Sequence, residues 1–95
     1  MEQSDLETYR ASVDNLDAAL VYLLAERFRV THAIGRLKQR EALPAEDRAR
    51  EQDQIERLKA LALAAGLDPA VVETVFPVIT AEVRRRHEVL RAPPR

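Results

Sequence analysis

The sequence predicts an all-α chain of three helices, the first very long. Three observations carry this. Apolar residues recur at helical spacing from Leu6 to Leu37, only two glycines occur in 95 residues, and strong breaks fall only around Pro44 and Gly66 to Pro69. At 46% hydrophobic and 33% charged, the chain is too apolar to stay disordered and has the composition of a globular helical protein. Its length is that of one domain, taken as residues 1–95 with frayed ends at 1–4 and 91–95, and excludes separate cofactor and substrate lobes.

The first helix opens at Ser4-Asp5-Leu6-Glu7, a capping-box pattern in which the Ser4 hydroxyl and Glu7 carboxylate satisfy backbone N–H groups at the helix start. Leu6, Tyr9, Val13, Leu16, Leu20, Leu23, Val30, Ile34 and Leu37 form one stripe with a single gap at position 27, and no proline or strong loop signal appears before Ala42-Leu43-Pro44. The spacing therefore predicts a helix from about Asp5 to Glu41, a rod of roughly 55 Å. A compact chain of this size has a radius of gyration of about 12 Å, so one chain cannot cover such a rod. An intertwined homodimer follows as the expectation.

The second helix follows Pro44, is dense in charge through Arg57, and carries Ile55, Leu58, Leu61, Ala62 and Ala65 before Gly66 stops it. Asp68 then serves as N-cap and Pro69 as first residue of a third helix. That helix lines up Val72, Val75, Phe76, Ile79, Val83 and Leu90 on one side, and Pro77 inside it removes a backbone bond or bends it.

Fifteen Lys and Arg against 16 Asp and Glu give a net charge of −1, which offers no overall basic field to a nucleic acid. There are no cysteines, which excludes a disulfide framework, a thiolate zinc site and a cysteine nucleophile. No apolar run approaches the ~18 residues that span a bilayer, and the start is acidic and polar, so the expectation is a soluble, cytoplasmic protein with no membrane partner. The two histidines are far apart and no acid cluster has ligand spacing, so no metal is expected. A Gly-rich phosphate loop and a Gly-x-Ser-x-Gly turn are both absent from the sequence.

The informative charges sit where apolar residues belong. Arg27 fills the one gap in the first stripe, and Lys38, three turns on, lies about 20° away around the axis, with Thr31, Ile34 and Gly35 between them. Arg27 alone could be an arginine whose stem packs while its head reaches water. Two cations on one partly desolvated face, however, are costly without an anionic partner, and a carboxylated ligand supplies one. Gly35, costing about 1 kcal/mol in a helix interior relative to alanine, points to a close approach to the backbone.

Arg10 lies about 25 Å from Arg27 along the helix, so the two can serve one small ligand only if Arg10 comes from a second chain under two-fold symmetry; otherwise it pairs with Asp14. Asp47, Arg50 and Glu51 form a compact group at the start of the second helix, where open N–H groups also await an anion or hydroxyl. Taken alone, that group reads as a solvated charged face. His87 extends the apolar side of the third helix, where a histidine is more often a packed core residue than a catalytic one. His32 reads as a surface residue, and Arg84-Arg85-Arg86 as an exposed face.

Taken in order, Arg10-x2-Val13-x2-Leu16-Asp17-x2-Leu20-x2-Leu23-Leu24-x-Glu26-Arg27, Ile34-Gly35-x2-Lys38 and Pro44-x2-Asp47-x2-Arg50-Glu51 resemble the all-helical (AroQ) class of chorismate mutases over about Asp5 to Leu90. The resemblance implies three helices per chain intertwined into a dimer with two active sites. It implies that Arg10 of the second chain and Arg27 grip the carboxylates of chorismate, that Lys38 bonds the ether oxygen and a carboxylate, that Arg50 assists at a carboxylate, and that Asp47 and Glu51 contact the ring hydroxyl. The third helix departs from the common bacterial pattern. Val83 stands where a serine is usual, removing a polar contact, and His87 where a glutamine or glutamate donates to the ether oxygen, a role an imidazole N–H can also fill.

Conversion of chorismate to prephenate, on the route to phenylalanine and tyrosine, is an intramolecular [3,3] rearrangement that needs no nucleophile, metal or cofactor. It needs a held chair-like conformer and stabilised charge on the ether oxygen. The same residues read the same carboxylates and ether bridge in an isochorismate pyruvate-lyase or an aminodeoxychorismate mutase of this fold. A reading of another class is a non-catalytic helical dimerisation module, with Arg27 and Lys38 in salt bridges between chains.

Overall fold

In the computed structural model, residues 2–44 and 47–91 are described, with side chains from Ser4 onward. Among them are three helices and no strand: α1 (Glu2–Arg40), α2 (Arg48–Ala65) and α3 (Pro69–Arg91). The fold class is all-α, as the sequence predicts. The chain forms two compact units, Met1–Thr31 and His32–Arg95.

The first unit is the greater part of α1. Its start differs from the expected one: α1 begins at Glu2, and the Ser4 carbonyl accepts a bond from the Thr8 hydroxyl at 3.0 Å. Ser4 is thus inside the helix and not its cap, because Glu2 and Gln3 are good helix formers and nothing stops the helix from extending through them. The stripe residues stand open along it, with Leu16 64%, Leu20 55% and Leu23 65% exposed. Arg27 and Phe28, near its end, are half-buried.

The second unit holds the last turns of α1 with α2 and α3. α1 stops at Arg40, one residue short of the expected end, because Ala42 takes the left-handed conformation with φ 54°. The Leu43 N–H then donates to the Lys38 carbonyl at 2.9 Å and the Ala42 N–H to that of Gln39 at 3.4 Å, closing the helix end. α2 ends as the sequence predicts: Gly66 has φ 77°, and the N–H groups of Gly66 and Leu67 donate to Leu63 and Ala62 at 3.2 and 2.8 Å. Asp68 caps α3, its Oδ1 accepting from the Ala70 N–H at 3.0 Å, and α3 continues through Pro77.

α2 and α3 pack on each other as an antiparallel pair, joined by ion pairs near both ends. Lys59 Nζ meets Glu73 Oε1 at 2.6 Å near the turn, and Arg84 Nη2 meets Glu51 at the far end. The bond from Glu73 raises the Lys59 amine above its ordinary value of 10.5. Ala62 and Val72 are buried between them, and His87 is buried at 7% exposure. The end of α1 is tied to the end of α3: Gln39 Nε2 donates to the Leu90 carbonyl, and Arg91 donates to that of Leu43. Among the described residues, no helix is long and apolar enough to cross a membrane.

Candidate functional site

Arg10 and Arg27 belong to the first unit, where Arg10 is exposed and Arg27 half-buried. The remaining candidates belong to the second. Lys38, in the last turn of α1, is half-buried.

Asp47 is the N-cap of α2, and its Oδ1 accepts from the Arg50 N–H at 3.0 Å. One carboxylate oxygen is therefore engaged in starting the helix, a structural task that its position before a charged helix start makes natural. The Arg50 side chain is exposed. Glu51, a residue further into the first turn, is half-buried and faces α3.

There it meets a residue that the sequence places on an exposed face. Arg85 and Arg86 do lie exposed, with Arg85 bonded to Glu82 and Arg86 Nε 3.8 Å from it. The Arg85 bond holds the Glu82 carboxyl below its ordinary value. Arg84 departs from the expectation: it is half-buried, and its Nη2 donates to both carboxylate oxygens of Glu51, at 3.3 and 3.2 Å. The signal was present in the spacing, because Arg84 is three residues before His87 and four after Thr80 and so shares their face of α3.

Between α2 and α3 runs a groove of about 410 Å³ lined by Arg48, Glu51, Gln52, Ile55, Pro77, Thr80 and Arg84. Of the site residues expected from the sequence, Glu51 alone lines it. Its character is polar, with two guanidinium groups, one carboxylate, an amide and a hydroxyl on walls of proline and isoleucine. Such a lining suits a small polar ligand bearing negative charge.

His87 and Val83 lie on α3, buried and half-buried respectively. The imidazole packs against the end of α1 at Gly35, itself buried, so that a Cβ added to Gly35 meets His87 Cδ2 at 2.6 Å and Nε2 at 2.8 Å. The close approach that Gly35 suggested is therefore made by His87 of the same chain. His32 is exposed, as expected. Among the described residues, no three acidic or histidine side chains gather as a metal site.

The order of cations along α1, the acid-arginine-acid group at the head of α2 and the imidazole on α3 are thus set on three helices with no strand among the described residues. A family model for chorismate mutase type II matches residues 9–88, from the first turns of α1 to just past His87. By that match, which takes in most of all three helices, the chain belongs to the chorismate mutase type II family.

Proposed function

We propose that this protein converts chorismate to prephenate by an intramolecular [3,3] rearrangement, acting as a homodimer with two sites. The observation that carries the reading is the family match across residues 9–88. The sequence supports it residue by residue, with cations at 10, 27 and 38 and the Asp47-x2-Arg50-Glu51 group in the order that the family's chemistry uses.

The reaction breaks a C–O bond and forms a C–C bond within one molecule, so the protein has two tasks. The first is to hold the two carboxylates so that the reacting carbons approach in a chair. Arginine forks suit this, since two parallel N–H bonds fix a carboxylate in direction as well as position. Arg27 and Arg10 of a second chain carry that role, and Arg50 assists. The second task is to stabilise charge as it grows on the ether oxygen. Lys38 supplies a full positive charge and His87 an N–H, both stronger toward the transition state than toward the ground state. Asp47 and Glu51 contact the ring hydroxyl, and Val83 closes the site with apolar surface. No cofactor takes part.

The dimer reading rests on the open stripe of α1. Tyr9, Val13, Leu16, Leu20 and Leu23 are all more than half exposed on one face of one helix, a contiguous apolar stripe of the kind that marks an interaction surface. A second copy, bringing the same stripe, would cover it and deliver its own Arg10.

Loss of chorismate absorbance with prephenate as product tests the reaction, with Arg27→Ala alongside. The expected result is rapid conversion by the wild type and a loss of about 100-fold or more in kcat/KM for the variant. A folded dimer that leaves chorismate unchanged would overturn the reading.

A further inference from the structure

We infer that Arg84 is a specificity-determining residue, which sets the preference for a neutral hydroxyl over an ammonium on the substrate ring by neutralising Glu51. The inference rests on the function proposed above and extends it to a residue that the family reading leaves without a role.

Glu51 is the residue proposed to meet the ring substituent, and in this chain it does not stand alone. Its two oxygens accept from one nitrogen of Arg84 at 3.3 and 3.2 Å, with Glu51 35% and Arg84 37% exposed at the side chain. A carboxylate has about four lone-pair directions, so it can accept from Arg84 and still accept from a ring hydroxyl. What Arg84 changes is the charge that the substituent meets. A lone carboxylate favours an ammonium over a hydroxyl, because the attraction between full charges a few ångströms apart exceeds a neutral hydrogen bond. A carboxylate already paired with a guanidinium presents almost no net charge. Arg48 lines the same groove. An ammonium placed there gains little from the paired Glu51, whereas a hydroxyl keeps its bond.

The partial exposure of the pair limits its worth as a brace between α2 and α3, since such pairs contribute little to stability. A bracing role also affects every substrate alike, and this separates it from a role in selection.

The test compares chorismate with the analogue carrying an amine in place of the ring hydroxyl, using the full-length dimer as wild type, Arg84→Gln, Arg84→Lys and Glu51→Gln. Both kcat/KM and the binding constant of each compound are measured, and circular dichroism checks the fold. Arg84→Gln is expected to raise the amine-to-hydroxyl ratio about tenfold, Arg84→Lys to leave it near the wild-type value, and Glu51→Gln to lower it. An unchanged ratio in folded Arg84→Gln, or an equal loss for both compounds, overturns the inference while leaving the proposed reaction standing. If Arg84→Gln does not fold, the Glu51→Gln ratio decides, and no fall in it overturns the inference. A wild type that binds neither compound overturns both readings.

Discussion

The imidazole of His87 occupies the space beside Gly35 that any side chain there would need, with Cδ2 and Nε2 at 2.6 and 2.8 Å from the position of a Cβ and Leu90 Cδ1 at 3.0 Å. Both ring atoms are nearer than real Cβ contacts allow. An alanine at an ordinary helix position stabilises by about 1 kcal/mol over glycine, but here overpacking costs about 1 to 3 kcal/mol and pushes the imidazole out of place. Gly35→Ala is therefore expected to lower Tm and, with His87 in its proposed role at the ether oxygen, to reduce kcat by about tenfold or more, since small misplacements of such a contact are costly. Thermal melts and steady-state kinetics check this, and a variant more stable than wild type with unchanged kcat would show that His87 has room to move.

Lys38 is half-buried at the end of α1, where its ammonium is proposed to face the ether oxygen. Its bond gains strength as charge develops, so Lys38→Ala is expected to lower kcat by about 100-fold or more while KM changes much less. Kinetics with chorismate decide the point, and an unchanged kcat removes Lys38 from the reaction.

What the sequence made legible is what local rules govern. Gly66 ends α2, Asp68 and Pro69 begin α3, and α1 runs as one helix to Arg40, because each depends on backbone preference or on spacing along one helix. Ser4 shows the limit of such rules: its capping pattern is sound, yet good helix formers precede it and the helix runs through it to Glu2. Ala42 carries no turn signal at all, since alanine seldom adopts a left-handed φ. Arg84 was obscured for a different reason. Its place is set by a carboxylate on another helix, and beside Arg85 and Arg86 a charge run on one helix reads as solvated whatever lies opposite. The group at Asp47 was only half legible, as a cap and a ligand-binding acid have the same side chain.

Ala42 offers a test of helix-end strain. A non-glycine residue at φ 54° costs about 1 to 2 kcal/mol against the right-handed region, and glycine removes that cost while adding some entropy loss. Ala42→Gly is expected to stabilise the protein by about 0.5 to 1 kcal/mol, read from denaturant unfolding. Unchanged or lower stability would mean that the left-handed turn does not form in solution.

The Lys59–Glu73 pair gives a signed pH dependence. The bond to Glu73 raises the Lys59 amine above 10.5 in the folded chain, so its contribution is fully present below the unfolded value and is lost as pH rises through the higher folded one. Between about pH 9 and pH 12, wild-type Tm is expected to fall towards that of Lys59→Gln. A gap that stays constant across this range would show that the pair adds nothing in water.

The open face of α1 makes the strongest demand on assembly. Leu20 stands near the middle of the stripe and is 55% exposed in the single chain. A helix in a protein is held by packing more than by propensity, and the proposed second copy supplies that packing. A charge at Leu20 would be buried without a partner at such an interface, at a cost of several kcal/mol. Leu20→Glu is therefore expected to shift the sedimenting mass from twice the chain to 10.8 kDa, to reduce helical circular dichroism, and to abolish activity. Asp14→Lys, about 120° around the axis of α1 from Leu20 by spacing, should leave the mass unchanged. If wild type itself sediments as one chain and still turns over chorismate, Arg10 cannot act from a partner, and the two-chain site must be given up.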